Sequence, residues 1–297
     1  MTATEAEGAG SAARSATDVA RYYDSNTRRF LSFGGGGRRF AIHRQLWGPG
    51  VETVAEAAGF VNELIATAIA DHAGAEPRAI ADFGCGVGGT LFDLAGRLPQ
   101  AGFFGVTISP RQVTMARALS RRLGVADRCR FEQGDFESIA LGQPADAIVA
   151  VEAFAHSVDP DRFFANAVRN LRRGGLLVLV DDFVAIDSGS LSDRQRACVR
   201  DFARGWRLGS LATAEISIAR ASARGFTPVA ARDLTALIRN DDLRHRFVAG
   251  LGPLCGRLGL GGLPVFANMI GGSALQRGIR LGALTYRMLV FRQDGSG

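Results

Sequence analysis

A carboxylate and an imidazole, Glu152 and His156, stand four residues apart directly after the apolar run at 145–151. Either group can act as a general base, and a carboxylate can also stabilise positive charge that develops during a reaction. A loop ion pair and a capping histidine would explain the same residues without chemistry. Because both follow a predicted buried strand, we interpret them as part of a reactive site.

A second candidate feature is a turn with glycine at alternate positions, Gly84, Gly86 and Gly88, preceded by Asp82 at the end of an apolar run. Glycine adopts backbone angles closed to other residues and lets a ligand approach the main chain. The helix that follows would offer unpaired N–H groups to that ligand. A tight connection without a ligand is the alternative. Cys85 is counted with the binding positions of this turn, and we expect its side chain to pack.

Two further strand ends carry polar residues suited to a nucleoside. Thr107 stands where dinucleotide-binding sheets have an acid for the ribose, which argues against an NAD site and makes Thr107 and Gln112 neutral hydrogen-bonding candidates. Asp135, with Phe136 beside it, follows the third strand and could accept a hydrogen bond from an adenine amino group. A turn or cap role is the alternative for Asp135.

The elements that position these residues alternate between strand and helix patterns, which predicts an α/β fold with a mainly parallel sheet and helices on both faces. Ligands of such sheets bind at the carboxyl ends of the central strands. The pattern predicts strands at 79–83, 102–107, 129–133, 145–151, 175–181, 226–231 and 283–292, and helices at 52–72, 89–97, 110–123, 160–172, 192–208, 214–224 and 234–258.

The domain organisation predicted from these patterns has a disordered tail at 1–15 and an N-terminal helical cap at 16–73. The sheet domain would comprise 74–233 and 283–293. Residues 234–282 would form a helical insertion before the last strand, where substrate lids are often built. For the cap, an ordinary packing arm is an equally weighted alternative.

The composition excludes several function classes. All 35 basic residues are arginine and they are scattered among the acids, so the net charge of +6 does not indicate nucleic-acid binding. The four cysteines form no CxxC pair, so neither a zinc site nor a disulfide framework is predicted. No apolar run reaches membrane-spanning length and no signal peptide is apparent, so we expect a soluble cytoplasmic protein.

Residues 79–182 resemble the class I S-adenosylmethionine-dependent methyltransferases, whose fold is a Rossmann-like seven-stranded sheet. Asp82 to Gly88 resembles their first motif and Gly134-Asp135 their adenine-binding position. Gly105 to Ser109 followed by Gln112 is similar to cyclopropane fatty acid synthases and to sterol and terpene C-methyltransferases. The stretch 152–156 is similar to the Glu-Ala-x-x-His of the sterol enzymes. Tyr22-Tyr23-Asp24 and the segments 268–272 and 286–287 resemble bacterial prenyl and indole-terpenoid C-methyltransferases.

The resemblance implies an enzyme that methylates an alkene carbon of an isoprenoid, most simply geranyl or farnesyl diphosphate, through a carbocation that then loses a proton. Glu152 would stabilise the cation and take the proton, with His156 as an alternative base or as the partner that orients Glu152. Tyr23 completes the candidate catalytic set. S-adenosylmethionine would be held by Asp82, Gly84, Cys85, Gly86, Thr107, Gln112, Asp135 and Phe136.

Candidate substrate contacts lie mostly in the N-terminal cap. The candidate aromatic walls are Tyr22, Tyr23, Trp47 and Trp206, and the candidate diphosphate ligands are Arg28, Arg29, His43 and Arg44, with Mg²⁺ as a candidate partner of the diphosphate. Core packing and a solvated basic face are the alternatives.

Two rival functions stay open, and so does a homo-oligomer. One rival is methylation of another natural-product scaffold such as an indole terpenoid, either on carbon with cyclisation or on oxygen or nitrogen with His156 as base. The other is a non-enzymatic scaffold that binds the cofactor and templates a cyclisation or a partner.

Overall fold

The structure is a computed structural model that describes residues 43–239 and 264–294, with side chains from 270 onward in the second range. The predicted tail and the part of the predicted cap before residue 43, with Tyr22, Tyr23, Arg28 and Arg29, therefore lie outside the described residues. So does most of the helix predicted at 234–258.

The described residues form seven strands and seven α-helices. The strands are β1 (Ala79–Phe83), β2 (Gly102–Thr107), β3 (Cys129–Gln133), β4 (Ala145–Val151), β5 (Leu171–Val184), β6 (Phe226–Asp233) and β7 (Leu284–Gln293). The helices are α1 (Val54–His72), α2 (Gly89–Arg97), α3 (Pro110–Arg122), α4 (Pro160–Asn170), α5 (Asp193–Trp206), α6 (Ala214–Ala223) and α7 (Pro264–Arg280). Short 3₁₀ helices at Phe154–His156, Ser188–Ser190 and Thr235–Leu237 connect some of them.

The strands form one sheet in the order β3-β2-β1-β4-β5-β7-β6. Strands β1 to β5 pair in parallel, and β7 pairs antiparallel with both β5 and β6. The predicted seven-stranded, mostly parallel α/β sheet is confirmed. The strand order reverses between β1 and β4, so a ligand is expected beyond their carboxyl ends.

Two cores cover the two faces of the sheet. On one face, α1 buries Val61, Ile65 and Ile69 in a cluster shared with the strand residues Ile80 and Val178. A capping box between Thr53 and Glu56 fixes the first turn of α1. Helix α1, which the sequence assigned to the cap, thus shares the core of the sheet. Where the cap ends stays a prediction.

On the other face, seven buried phenylalanines pack among alanine and aliphatic side chains. Phe163 and Phe164 of α4 meet in an edge-to-face contact of 5.5 Å between ring centroids. Phe226 and Phe291 extend the cluster across β6 and β7. Such contacts add to the free energy gained from burying the rings. The resulting core fixes the spacing of the strands whose ends carry the site.

The largest differences from the predicted boundaries lie in two regions. Helix α4 ends at Asn170, and β5 runs from Leu171 to Val184, because Leu171 already pairs with Ala145 of β4. The strand predicted at 175–181 therefore extends far enough to include Asp182. The helix predicted from Leu234 begins instead with a 3₁₀ turn, because the Leu234 N–H bonds to the Tyr286 carbonyl and continues the pairing along β7.

Candidate functional site

The glycine turn, defined as residues 84–88, joins β1 to α2 at the centre of the sheet edge. Gly84 and Gly88 have φ angles of 92° and 91°, in the region that favours glycine. A Cβ on Gly84 would lie 2.4 Å from the Cβ of Ala153. Close packing inside the protein therefore requires this glycine as much as any ligand would.

Helix α2 begins at the glycine turn with no side-chain cap and no acid in its first turn. Its first N–H groups are suited to an anionic group such as an amino-acid carboxylate. Asp82, at the end of β1, is buried, and burial raises the pKa of its carboxyl to about 7. The turn, the uncapped helix and Asp82 together fit the amino-acid end of S-adenosylmethionine, the cofactor expected from the sequence.

Cys85 packs, as the sequence predicted. Its thiol is buried, and burial raises the pKa of the thiol well above its usual value. A Cβ on Gly105 of β2 would approach the Cys85 sulfur to 2.8 Å, so the glycine turn packs closely against β2 here.

The candidate nucleoside ligands lie at the ends of β2 and β3. The Thr107 hydroxyl donates to Oε1 of Gln112 at 2.6 Å, and both side chains are buried. Asp135 accepts the N–H of Glu137 through one carboxylate oxygen, so the predicted turn role is present and uses that oxygen. Phe136 packs edge-to-face on Phe163 at 5.5 Å. These pairs preorganise the edge where the adenosine is expected.

Glu152 follows β4 in a left-handed backbone conformation with φ of 50°. A residue other than glycine in this region costs on the order of 1–3 kcal/mol, and such strain clusters at functional sites. Its Oε1 accepts hydrogen bonds from the Arg44 N–H at 2.9 Å and the Tyr286 hydroxyl at 3.0 Å. Within the described residues, Oε2 accepts none. One carboxylate oxygen is therefore fixed in place while the other stays available.

Tyr286 on β7 is a site residue that the sequence analysis did not select. It is 0% exposed, and burial raises the pKa of its phenol well above the usual value. A buried tyrosine hydroxyl needs a hydrogen-bond partner, and here that partner is Glu152. The available signal was a tyrosine at an alternating apolar position of the predicted last strand.

Arg44 forms a bidentate ion pair with Asp182, with nitrogen–oxygen distances of 2.7 and 2.5 Å. Its guanidinium carbon lies 4.7 Å from the ring centroid of Tyr286 and 5.6 Å from that of Trp206. Burial opposes the charge, but Asp182 and Glu152 outweigh it and raise the pKa of Arg44. The guanidinium predicted to bind a diphosphate is thus already held by a carboxylate and two aromatic faces.

Asp181 lies on the opposite face of β5 from Asp182. It accepts the N–H of Ala155 at 3.0 Å and the N–H of Asp182 at 2.8 Å. Burial, reinforced by Asp182, raises the pKa of its carboxyl to about 7. We call Glu152, Asp181 and Asp182 the acidic cluster. Neither aspartate belongs to a local motif, and their partners Ala155 and Arg44 are distant in sequence, so the sequence did not single them out.

The two candidate histidines are both half-buried, and each has one ring nitrogen shielded from solvent. His156 lies in the 3₁₀ helix after Glu152, and burial lowers its pKa to about 4 despite a hydrogen bond with the Arg207 backbone. His43 has a lowered pKa for the same reason, with Glu152 and Asp93 opposing the shift. At neutral pH both imidazoles are therefore neutral.

The two candidate tryptophans have different surroundings. Trp206 ends α5, packs 5.2 Å from Phe202 and faces Arg44. Trp47 has its ring 4.0 Å from the guanidinium carbon of Arg239, and its backbone N–H bonds to Leu237. The structure thus brings Glu152, His43, Arg44 and Trp206 together, and it pairs Trp47 with Arg239.

Comparisons with known sequences identify the domain. Residues 78–202 match the family described as a methyltransferase domain. The chain is 31% identical over 122 residues to a probable tocopherol O-methyltransferase and 29% identical over 157 residues to cycloartenol-C-24-methyltransferase 1, both of Oryza sativa subsp. japonica. These matches cover 39% and 52% of this chain, and 32% and 43% of the two relatives. The chain thus spans less than half the length of these relatives.

Solved structures match over nearly the whole chain. The [4+2]-cyclase SpnF has a TM-score of 0.73 at 22% identity, covering 96% of this chain and 99% of its own. A geranyl diphosphate C-methyltransferase from Streptomyces coelicolor A3(2), solved with Mg²⁺, geranyl diphosphate and S-adenosyl-L-homocysteine, has a TM-score of 0.66 at 17% identity. That match covers 94% and 97% of the two chains. At such identities the likeness establishes the fold.

The described helices also bear on contact with a membrane. None of the described helices is long and apolar enough to cross a membrane.

Proposed function

The chain carries the domain and the fold of the S-adenosylmethionine-dependent methyltransferases, and from that premise we propose that it methylates an alkene carbon of an isoprenoid. The proposed substrate class is a prenyl diphosphate such as geranyl or farnesyl diphosphate. The observation that carries the proposal is the arrangement of Glu152, with one oxygen fixed by two donors and the other available.

The residues proposed to hold the cofactor lie at the ends of β1, β2 and β3. The glycine turn, with Cys85 and Gly86, and Asp82 would hold the amino-acid end, Thr107 and Gln112 the ribose, and Asp135 with Phe136 the adenine. When bound, S-adenosylmethionine supplies an electrophilic methyl group on a positively charged sulfur.

In the proposed reaction the alkene would supply the electron pair for the bond to the methyl group, and S-adenosylhomocysteine would be the leaving product. Positive charge then develops on the neighbouring alkene carbon. A carboxylate in a water-poor site stabilises such charge electrostatically. Loss of a proton from an adjacent carbon to Glu152 Oε2 restores a double bond, so a single carboxylate would serve both steps.

The environment of Glu152 favours cation chemistry over activation of a hydroxyl or amine. Burial lowers the pKa of His156 to about 4, so this imidazole is a weak base for a phenol or an amine. The facing rings of Trp206 and Tyr286 already hold Arg44. We therefore assign stabilisation of the substrate cation to Glu152, because Asp182 is already paired with Arg44. Tyr23 and Tyr22 are kept as candidate aromatic contacts.

The proposed diphosphate ligands come from the N-terminal part of the chain. Arg28 and Arg29 stay as proposed ligands, with Mg²⁺, and both lie outside the described residues. Arg44 is engaged by Asp182. Its proposed role changes to supporting Glu152 through its backbone N–H.

The test is methyl transfer from labelled S-adenosylmethionine to geranyl and farnesyl diphosphate, with and without Mg²⁺, beside a panel of phenols, indoles and amines. We expect label in a prenyl diphosphate carrying one additional carbon, identified by mass spectrometry after removal of the phosphates. Transfer only to oxygen or nitrogen acceptors would contradict the proposal. Cofactor binding without transfer to any acceptor would favour a binding scaffold.

A further inference from the structure

His43 is half-buried, and among the described residues only one of its two ring nitrogens has a hydrogen-bond partner. Within the part of the chain that the structure describes, its Nε2 has no hydrogen-bond partner. A buried polar atom without a partner is unfavourable and needs an explanation, and a ligand at the site is one such explanation. His43 immediately precedes Arg44, whose N–H bonds to Glu152, so the unpaired nitrogen lies beside the candidate site.

The hydrogen-bonding role of Nε2 follows from its partner across the ring. Nδ1 lies 3.2 Å from the Arg44 carbonyl oxygen, which can only accept, so Nδ1 carries the hydrogen. Burial lowers the pKa of the ring, which stays neutral at pH 7. Nε2 therefore presents a lone pair. It suits a hydrogen-bond donor and does not suit the phosphate oxygens expected from the sequence.

The charges around His43 indicate what kind of donor fits. Glu152 and Asp93 both act electrostatically on the ring, and Asp93 belongs to α2, the helix that begins at the glycine turn. The neighbouring cation, the Arg44 guanidinium, is paired with Asp182. Asp93 is ion-paired with Arg97, so Glu152 is the carboxylate with an available oxygen near the ring. A lone pair in the field of that carboxylate favours a donor that is itself positively charged, such as an ammonium group.

We propose that Nε2 of His43 accepts a hydrogen bond from the α-ammonium group of the cofactor's amino-acid end. The uncapped start of α2 suits the carboxylate of that same end. His43 would therefore complete a binding site for a zwitterionic amino acid built from the N-terminal segment and α2. The proposal requires only cofactor binding, so it stands or falls independently of the acceptor that is methylated.

The test is calorimetric binding without any acceptor substrate. The ligands are S-adenosylhomocysteine and an analogue whose α-amino group is replaced by hydrogen, and the proteins are the native chain and His43→Phe. We expect His43→Phe to weaken the affinity for S-adenosylhomocysteine about tenfold, which is the scale of one hydrogen bond to a charged group. The affinity for the deaminated analogue should fall less than twofold.

Three further variants serve as controls for the binding experiment. His43→Leu removes the same acceptor should phenylalanine not fit, and His43→Gln, which retains an acceptor oxygen, is expected to recover part of the affinity. His72→Leu, at the far end of α1, is expected to change neither affinity. Equal losses for both ligands, or unchanged affinity for S-adenosylhomocysteine in both His43→Phe and His43→Leu, would overturn the assignment.

Discussion

The carboxyl edge of the sheet has two halves that are built differently. The cofactor half, at the ends of β1, β2 and β3, is held by contacts between near neighbours in sequence. Thr107 bonds to Gln112, and Asp135 bonds to the N–H of Glu137. The acceptor half, at the ends of β4, β5 and β7, is held by contacts that span 108, 134 and 138 residues.

This difference explains how much the sequence could predict. Short-range motifs define the cofactor half, so the glycine turn, Thr107 and Gln112 could be placed at the sheet edge from spacing alone. In the acceptor half only Glu152 and His156 carried a local pattern. The hydroxyl of Tyr286 and the carboxylate of Asp182 gain their roles from distant segments, and no periodicity connects residue 44 to residue 182.

The fold itself was predictable for a similar reason. Buried parallel strands appear in the sequence as apolar runs. Every predicted strand has a counterpart in the sheet. The errors in the prediction lie at helix and strand ends whose position is set by pairing with residues distant in sequence. Leu171 continues the ladder with Ala145, and Leu234 bonds to Tyr286 instead of starting a long helix.

The largest effect on stability is expected at the ion pair of the acceptor half. Asp182→Ala leaves the buried Arg44 charge without its partner, which costs about 3–5 kcal/mol in the free energy of unfolding. Chemical denaturation measures the loss. The double substitution Arg44→Met with Asp182→Leu should restore most of the stability without restoring turnover. A loss below about 1 kcal/mol in Asp182→Ala would show that the long-range contacts do not hold this half together.

A smaller loss is expected where the two halves meet. Gly84→Ala forces a left-handed alanine whose Cβ would lie 2.4 Å from Ala153, next to Glu152. Strain and overpacking together should cost about 2–4 kcal/mol. Gly142→Ala is the matched control, because a Cβ there meets nothing within 4 Å. Equal stability of the two variants in thermal unfolding would contradict the tight contact.

Tyr286→Phe removes the hydroxyl and keeps the ring, so it tests the hydrogen bond to Glu152 in the acceptor half by itself. The ring can still cover Arg44, but Glu152 Oε1 retains only the Arg44 N–H. We expect turnover to fall about tenfold, the scale of one hydrogen bond to a charged group, with unchanged affinity for S-adenosylhomocysteine. A matching loss of cofactor affinity would mean that the two halves are not separable.

The smallest predicted effect is a change in the pH dependence of stability. Because the pKa of Asp181 is raised to about 7 in the folded state, the folded protein binds more protons than the unfolded chain between about pH 4 and pH 7. This carboxyl thus stabilises the fold below pH 4, and that contribution is lost as pH rises through 7. Asp181→Asn should make the free energy of unfolding fall less steeply as pH rises. Some decline should remain, because Asp82 has a similarly raised pKa. An unchanged slope of unfolding free energy against pH would exclude Asp181 as a source.

The most direct measurement of the central claim is turnover by Glu152→Gln with geranyl diphosphate and labelled cofactor, beside calorimetric binding of S-adenosylhomocysteine. The amide keeps the shape of the side chain but removes its charge and its capacity to take a proton. The account predicts a fall in turnover of about 100-fold or more with cofactor affinity within about twofold of native. Undiminished methyl transfer by this variant would contradict the role assigned to Glu152.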